Sequence, residues 1–260
     1  MVTTLETVVL SLAAGLTVAT VTAPVGVSGA VFLLPIQFSV LHIPSPAVTP
    51  TNLLFNIVSI PGALVRYRVS WHSPLTVRLI AGTVPGVVIG AMVRVLLIPG
   101  PRMFRVVAAG VLLPLGIWLI ARERSPARPA ARHPSSRSIS LLALSVGVIG
   151  GIYGIGGGSL LSPILIGRGL PVATVAPAAL ASTLVTSAAG AATYTVLATA
   201  HRGFDIAPDW LVGIVAGVGG LIGGYLGAAI APRVPERALR VTLGLLAVTT
   251  AAVYGAQAVT

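Results

Sequence analysis

The stretch Gly150–Pro163, GGIYGIGGGSLLSP, decides how this chain is read: Gly150, Gly151, Gly154, Gly156, Gly157 and Gly158 are packed into nine residues. Apolar sequence flanks it on both sides, Ile139–Ile149 before and Leu160–Ile166 after. Each glycine costs a helix about 1 kcal/mol relative to alanine, and it also lets the backbone turn sharply and other groups come close. In a water-soluble protein the run would suggest a phosphate loop. The Walker pattern needs a lysine after its last glycine, and this chain has no lysine; GxGxxG fails at its third glycine, where Ser159 stands. What remains is a helix broken inside an apolar segment, which matters most in a membrane.

Composition points the same way. Hydrophobic residues make up 55% of the chain, charged residues 8%, and mean hydropathy is +1.00, whereas a soluble domain carries roughly 25% charged residues. The expected fold class is all-α, a polytopic helical membrane protein whose partner is the lipid bilayer; the alternating pattern of a membrane barrel does not occur. The net charge of +11 comes entirely from arginine on the positive side. The arginines sit singly or in pairs between apolar runs, so they read as loop charge and not as a nucleic-acid surface. With no cysteine, disulfides and thiolate metal sites are excluded.

In chain order, residues 5–23 are apolar, and Met1–Glu6 lacks the positive start of a signal peptide, so the first segment reads as retained. Apolar runs follow at 27–42, 47–65, 76–98 and 103–121, then at 139–154, 158–168, 172–198, 210–231 and 238–258. A full span takes about 20 residues. The runs 139–154 and 158–168 are short for that and meet at the glycines, as two half-helices or a re-entrant hairpin would.

The chain also repeats itself. Gly26, Gly29, Pro35, Ser59, Gly62 and Ala63 recur 128 residues later as Gly154, Gly157, Pro163, Ser187, Gly190 and Ala191. Pro74, Gly86, Gly90, Pro101 and Gly110 recur 134 residues later as Pro208, Gly220, Gly224, Pro235 and Gly244. This divides the chain into a first membrane repeat, 1–121, a linker rich in Arg, Pro and Ser, 122–138, and a second repeat, 139–260. The linker arginines place it in the cytoplasm by the positive-inside rule. Alternation from there brings Arg66, Arg68, Arg78, Arg168, Arg233, Arg237 and Arg240 inside, leaves Arg102, Arg105 and Arg202 outside, and makes both termini external. The first repeat then crosses an odd number of times, so the second is inverted relative to it. Inverted repeats of about five helical segments with broken helices are the architecture of many secondary transporters.

GIYGIGGGSLLSPIL, the following Ser182-Thr183-Leu184 helix and the small-residue helix GLIGGYLGA together resemble the sulfite exporter TauE/SafE family of bacterial permeases. The resemblance covers nearly the whole chain and is strongest over 147–231. It implies a multi-pass permease of the bacterial inner membrane for sulfite, sulfonates or related sulfur anions, most simply an exporter. The first repeat departs from the pattern: in PVGVSGAVFLLP, Ser28 and Ala30 stand opposite Gly156 and Gly158. The two halves of any site are therefore not equivalent.

Candidate binding residues follow from anion chemistry. Gly154, Gly156, Gly157 and Gly158 can bare backbone N–H groups at a helix start, where dipole and unpaired donors suit an oxyanion; their plain alternative is close helix packing. Ser159, Ser182 and Thr183, with Thr186 and Ser187 beyond, can add hydroxyl donors, against the plain role of bonding back to their own helix. Gly26, Ser28 and Gly29 form the corresponding loop of the first repeat. Asn52 and Asn56, one turn apart, are the better polar candidates there. For Gly220, Gly223, Gly224 and Gly227 the i, i+3, i+4, i+7 spacing favours packing. Valine at Gly157 is expected to stop anion flux without harming the fold, and a substitution at Gly223 to harm the fold itself.

Arg94, four residues from the end of its run, reads first as a side chain reaching for the interface and second as a counter-charge. His42, His72, His133 and His201 fall at segment ends or loops. Glu6, Glu123, Asp205, Asp209 and Glu236 do too, so no intramembrane carboxylate of the kind a cation-coupled carrier keeps is present in the predicted spans. No His–acid pair lies at helical spacing inside a span, so no catalytic residue, metal ligand or cofactor is expected, and the reading is transporter and not enzyme. An anion channel or a non-transporting assembly subunit are the alternatives.

Overall fold

The computed structural model describes residues 3–41, 43–97, 136–200 and 206–259, and within 106–121 residues 106, 109, 110, 113, 114, 116–118, 120 and 121. The linker 122–135, most of the fifth segment, Arg102, Arg105, Arg202, Asp205, Glu123, His42, His133 and His201 lie outside the described residues. Those described are overwhelmingly helical, with no strand among them.

The helices are α1 (Thr4–Thr22), continued by a 3-10 turn (Ala23–Val25), α2 (Ala30–Ser39), α3 (Ser45–Tyr67) and α4 (Pro74–Leu96) in the first half. The second half contains α5 (Ser136–Tyr153), α6 (Gly157–Gly167), α7 (Val172–Ala200), α8 (Trp210–Ile230) and α9 (Glu236–Val259). Five of these, over Thr4–Val25, Ala47–Tyr67, Pro74–Leu96, Val172–Ala200 and Trp210–Arg233, are long and apolar enough to cross a membrane. Caps explain where they begin. Thr3 and Glu6 form a capping box at α1, with the Thr3 N–H donating to Glu6 Oε2 at 2.8 Å, so Glu6 is an end-cap acid. Ser73 precedes Pro74 and accepts from the Thr76 N–H at 3.1 Å. Asp209 accepts from the Val212 N–H at 2.9 Å at the head of α8. Each cap contributes about 1 kcal/mol.

Packing is reciprocal between the halves. The opening helix α1 lies on α8, and α5, which the expected repeat pairs with α1, lies on α4, which it pairs with α8. Helices α3 and α7 contact each other, and each also packs on the other half's fourth helix, α8 and α4. Glycines permit these approaches. A Cβ on Gly219 or Gly223 would overlap the carbonyls of Leu12 and Leu16 on α1, and one on Gly90 or Gly151 would overlap the facing carbonyls of Val148 and Val87. The packing role that spacing suggests for the α8 glycines is met at Gly223 and at Gly220, whose Cβ would sit 2.6 Å from Ser59 Cβ. Gly224 has looser neighbours, none nearer than 3.5 Å.

Candidate functional site

Both opening helices are interrupted where the glycines stand. After α1 the chain passes through Gly26 at φ 73° before α2 starts; after α5 it passes through Gly154 at φ 67° and Gly156 at φ 65° before α6 starts at Gly157. These left-handed values are where glycine is needed. At 10 and 11 residues, α2 and α6 are half the length of a span. The two breaks touch. The Ser28 N–H donates to Ser159 Oγ at 3.2 Å, the two hydroxyl oxygens are 3.0 Å apart, and Ser162 donates to the Val25 carbonyl.

The second break is built from both halves of the chain. Breaking a helix strands its last carbonyls, and side chains from elsewhere reach them. Tyr194 on α7 donates to the Gly151 carbonyl at 3.0 Å, Thr49 on α3 to Ile152 at 3.2 Å, and Asn56 on α3 to Gly154 at 3.2 Å. Ser28 and Ser159 lie 3.3 and 2.8 Å from the Ile155 carbonyl. The N-terminus of α6 is treated differently: its cap is Gly156, and no side chain caps it. Its first-turn amides, at Gly157, Gly158 and Ser159, have no acceptor within their own helix.

Around this end the sequence candidates separate into two groups. Ser182, Thr183 and Ser159 are buried and engaged. Thr183 donates to the Ala179 carbonyl at 3.0 Å, and Ser182 lies 2.9 Å from Thr83, whose own hydrogen goes to the Leu79 carbonyl at 2.7 Å. The hydroxyl donors expected for an anion are thus spent on protein partners. The asparagines are not. Asn52 and Asn56 are fully buried, both amide atoms of Asn52 and the Oδ1 of Asn56 have no protein partner, and a Cβ on Gly154 would lie 3.1 Å from Asn52 Cβ. An unmet buried polar group costs about 1–3 kcal/mol, so three such atoms beside a broken helix require an account.

The glycines are packed as well as bent. A Cβ on Gly157 would sit 2.5 Å from Thr83 Cγ2 and 2.7 Å from its Cβ, and one on Gly158 would overlap the Ala179 carbonyl. Valine at Gly157 would push α4 away, so a loss of flux with an intact fold is not what the packing favours at that position. The first break is packed too: a Cβ on Gly26 would overlap Ala176, and Ser28 and Gly29 border a cavity of only ≈ 10 Å³.

Arg94 differs from its first reading. It does not extend to the surface; it is 2% exposed, in electrostatic range of Tyr153 and Tyr194, the residues flanking the break. Sequence reasoning missed Thr49, Tyr153 and Tyr194. Thr49 had a signal, because Thr49, Asn52 and Asn56 form one polar stripe at i, i+3, i+7 on an otherwise apolar helix. The described carboxylates, Glu6, Asp209 and Glu236, stand at helix starts, so the charge buried by the break is positive.

Five helices of span length, with apolar helices interrupted at glycines and a buried cation and unmet polar groups near the second interruption, define a multi-pass helical membrane protein with an internal polar site. The chain belongs to the family described as Sulfite exporter TauE/SafE, whose model matches residues 11–254, and it is a membrane transporter of that family. A Xylella fastidiosa (strain 9a5c) protein named "Probable membrane transporter protein" is 25% identical over 264 residues, covering 95% of each chain. No solved structure matches significantly.

Proposed function

We propose that this transporter moves a small sulfur-containing oxyanion, sulfite or an organosulfonate, outward across the bacterial inner membrane. The observation that carries the reading is the uncapped start of α6 at Gly156, set against Asn52 and Asn56, which retain unmet amide atoms at full burial. An anion entering a low-dielectric site must exchange water for donors. Backbone amides at a helix start provide them together with favourable dipole, and Arg94 adds positive field from beside Tyr153. The binding set is the amides around Gly156, Gly157, Gly158 and Ser159, with Asn52 and Asn56 opposite; Gly154 shapes the turn. Gly26, Ser28 and Gly29 brace it through Ser159, and Ser182 and Thr183 hold α7 in place. Purified protein in liposomes is expected to carry labelled sulfite saturably, with sulfonates competing and simple carboxylates not; flux no greater than in empty liposomes would defeat the reading.

In this reading the halves 1–121 and 139–260 are inverted copies joined by the 122–138 linker, and both termini are external. The reciprocal packing of α1 on α8 and α5 on α4 supports such a pairing, and the arginine-rich linker supports its cytoplasmic side. Single cysteines at Ser135 and Thr260 of this cysteine-free chain test it with an impermeant thiol reagent in intact cells. Thr260→Cys is expected to label and Ser135→Cys only after permeabilisation; labelling of Ser135→Cys from outside would overturn the orientation.

A further inference from the structure

We propose that the transported anion carries its own hydrogen-bond donor and is recognised as such by Asn52 and Asn56: the site takes a monoanion bearing an O–H, hydrogen sulfite and not the bare dianion. The inference rests on the oxyanion reading above and specifies its substrate.

It starts from the type of atom left unmet. Helix amides and Asn52 Nδ2 are donors and suit any oxyanion. The Oδ1 of Asn52 and the Oδ1 of Asn56 are acceptors, both fully buried and both without a protein partner. Rotating the Asn56 amide does not remove the problem. Its Nδ2 is committed to the Gly154 carbonyl at 3.2 Å and to Ser187 Oγ at 3.1 Å, which fixes Oδ1 as the open atom at the break. An oxyanion without hydrogen would face two acceptor lone-pair groups that repel it. An oxyanion carrying an O–H would donate to one of them while its remaining oxygens accept from the α6 amides and Asn52 Nδ2. The helix-start amides come from the second half and the open acceptors from the first, with Asn52 Nδ2 as a first-half donor beside them.

Hydrogen sulfite and methanesulfonate provide the matched probes: each is a monoanion on a three-oxygen sulfur centre, but only the first can donate. In liposomes containing the full chain, labelled sulfite efflux is measured at pH values on both sides of the hydrogen sulfite ionisation, with methanesulfonate as competitor. The expected result is flux that falls as the substrate loses its proton, with methanesulfonate weaker by roughly tenfold or more, the worth of one buried acceptor left unmet. Asn52→Leu is expected to lower hydrogen sulfite flux by a similar factor and to erase the preference between the probes. If wild type transports both probes equally, or prefers the dianion, this inference fails while the oxyanion reading stands. If Asn52→Leu keeps the full preference, Asn52 is not the acceptor and the assignment fails. If neither anion moves, the oxyanion reading itself fails. The wild-type comparison needs no variant, so a poorly folding Asn52→Leu leaves the test intact.

Discussion

Replacing Gly223 by valine is expected to stop the protein accumulating in a folded form. A Cβ at Gly223 overlaps the Leu16 carbonyl, and the neighbouring contact one turn away, Gly219 on Leu12, is just as close. A side chain meeting another side chain can change rotamer, but one meeting a backbone carbonyl forces the helices apart. Overpacking of a core typically costs about 1–3 kcal/mol. Here the separation would run along two spans that touch over much of their length, so the cost falls at or above the top of that range, against a total stability of about 5–15 kcal/mol. Gly224 on the same helix is the internal control. Its nearest atoms would be 3.5 Å from an added Cβ, an ordinary contact, so Gly224→Ala is expected to remain near wild type. Size-exclusion profiles in detergent and thermal unfolding measure both. A monodisperse Gly223→Val protein of wild-type stability would contradict the packing account.

Much of this fold is legible in the sequence because the decisive residues act locally. The run at 150–158 breaks its helix at Gly154–Gly156, as its spacing predicts, whereas the glycines of α8 are spread along one unbroken helix and serve packing. Apolar runs of span length became α1, α3, α4, α7 and α8 for the same reason. What the sequence does not disclose is who satisfies the broken ends. Thr49 and Asn56 reach carbonyls 103 and 98 residues away, and nothing in either residue's neighbourhood names its partner. The hydroxyls of Ser182 and Thr183 looked available because a sequence shows donors but not the carbonyls or hydroxyls they are spent on. Arg94 shows the same limit. A long cationic side chain near the end of a span can reach for water or turn inward, and the tyrosines at 153 and 194 within its electrostatic range lie far away in the chain. The Thr49, Asn52, Asn56 stripe is the exception, a polar face on an apolar helix that marks the site without structural help.

The central claim concerns the second break, and Gly156→Ala is the substitution to which it should be most sensitive. Gly156 combines φ 65° with ψ 145°, and an added Cβ would lie 2.5 Å from Thr183 Cγ2 and 3.2 Å from Ser187 Oγ. Backbone of this kind costs a non-glycine residue about 1–3 kcal/mol, which a folded protein can survive by letting the turn relax. Relaxation changes the direction of the first amides of α6, and preorganised donors lose their value when moved by as little as 1 Å. The variant is therefore expected to insert and fold, yet bind and move anion at least about tenfold less well. The most direct measurement uses selenite, the heavier analogue of sulfite, whose selenium can be located by anomalous scattering in crystals of the intact protein. The account predicts one selenium peak between the start of α6 and the amides of Asn52 and Asn56, absent in Gly156→Ala. A peak elsewhere in the membrane region, or one that persists unchanged in Gly156→Ala, would contradict it.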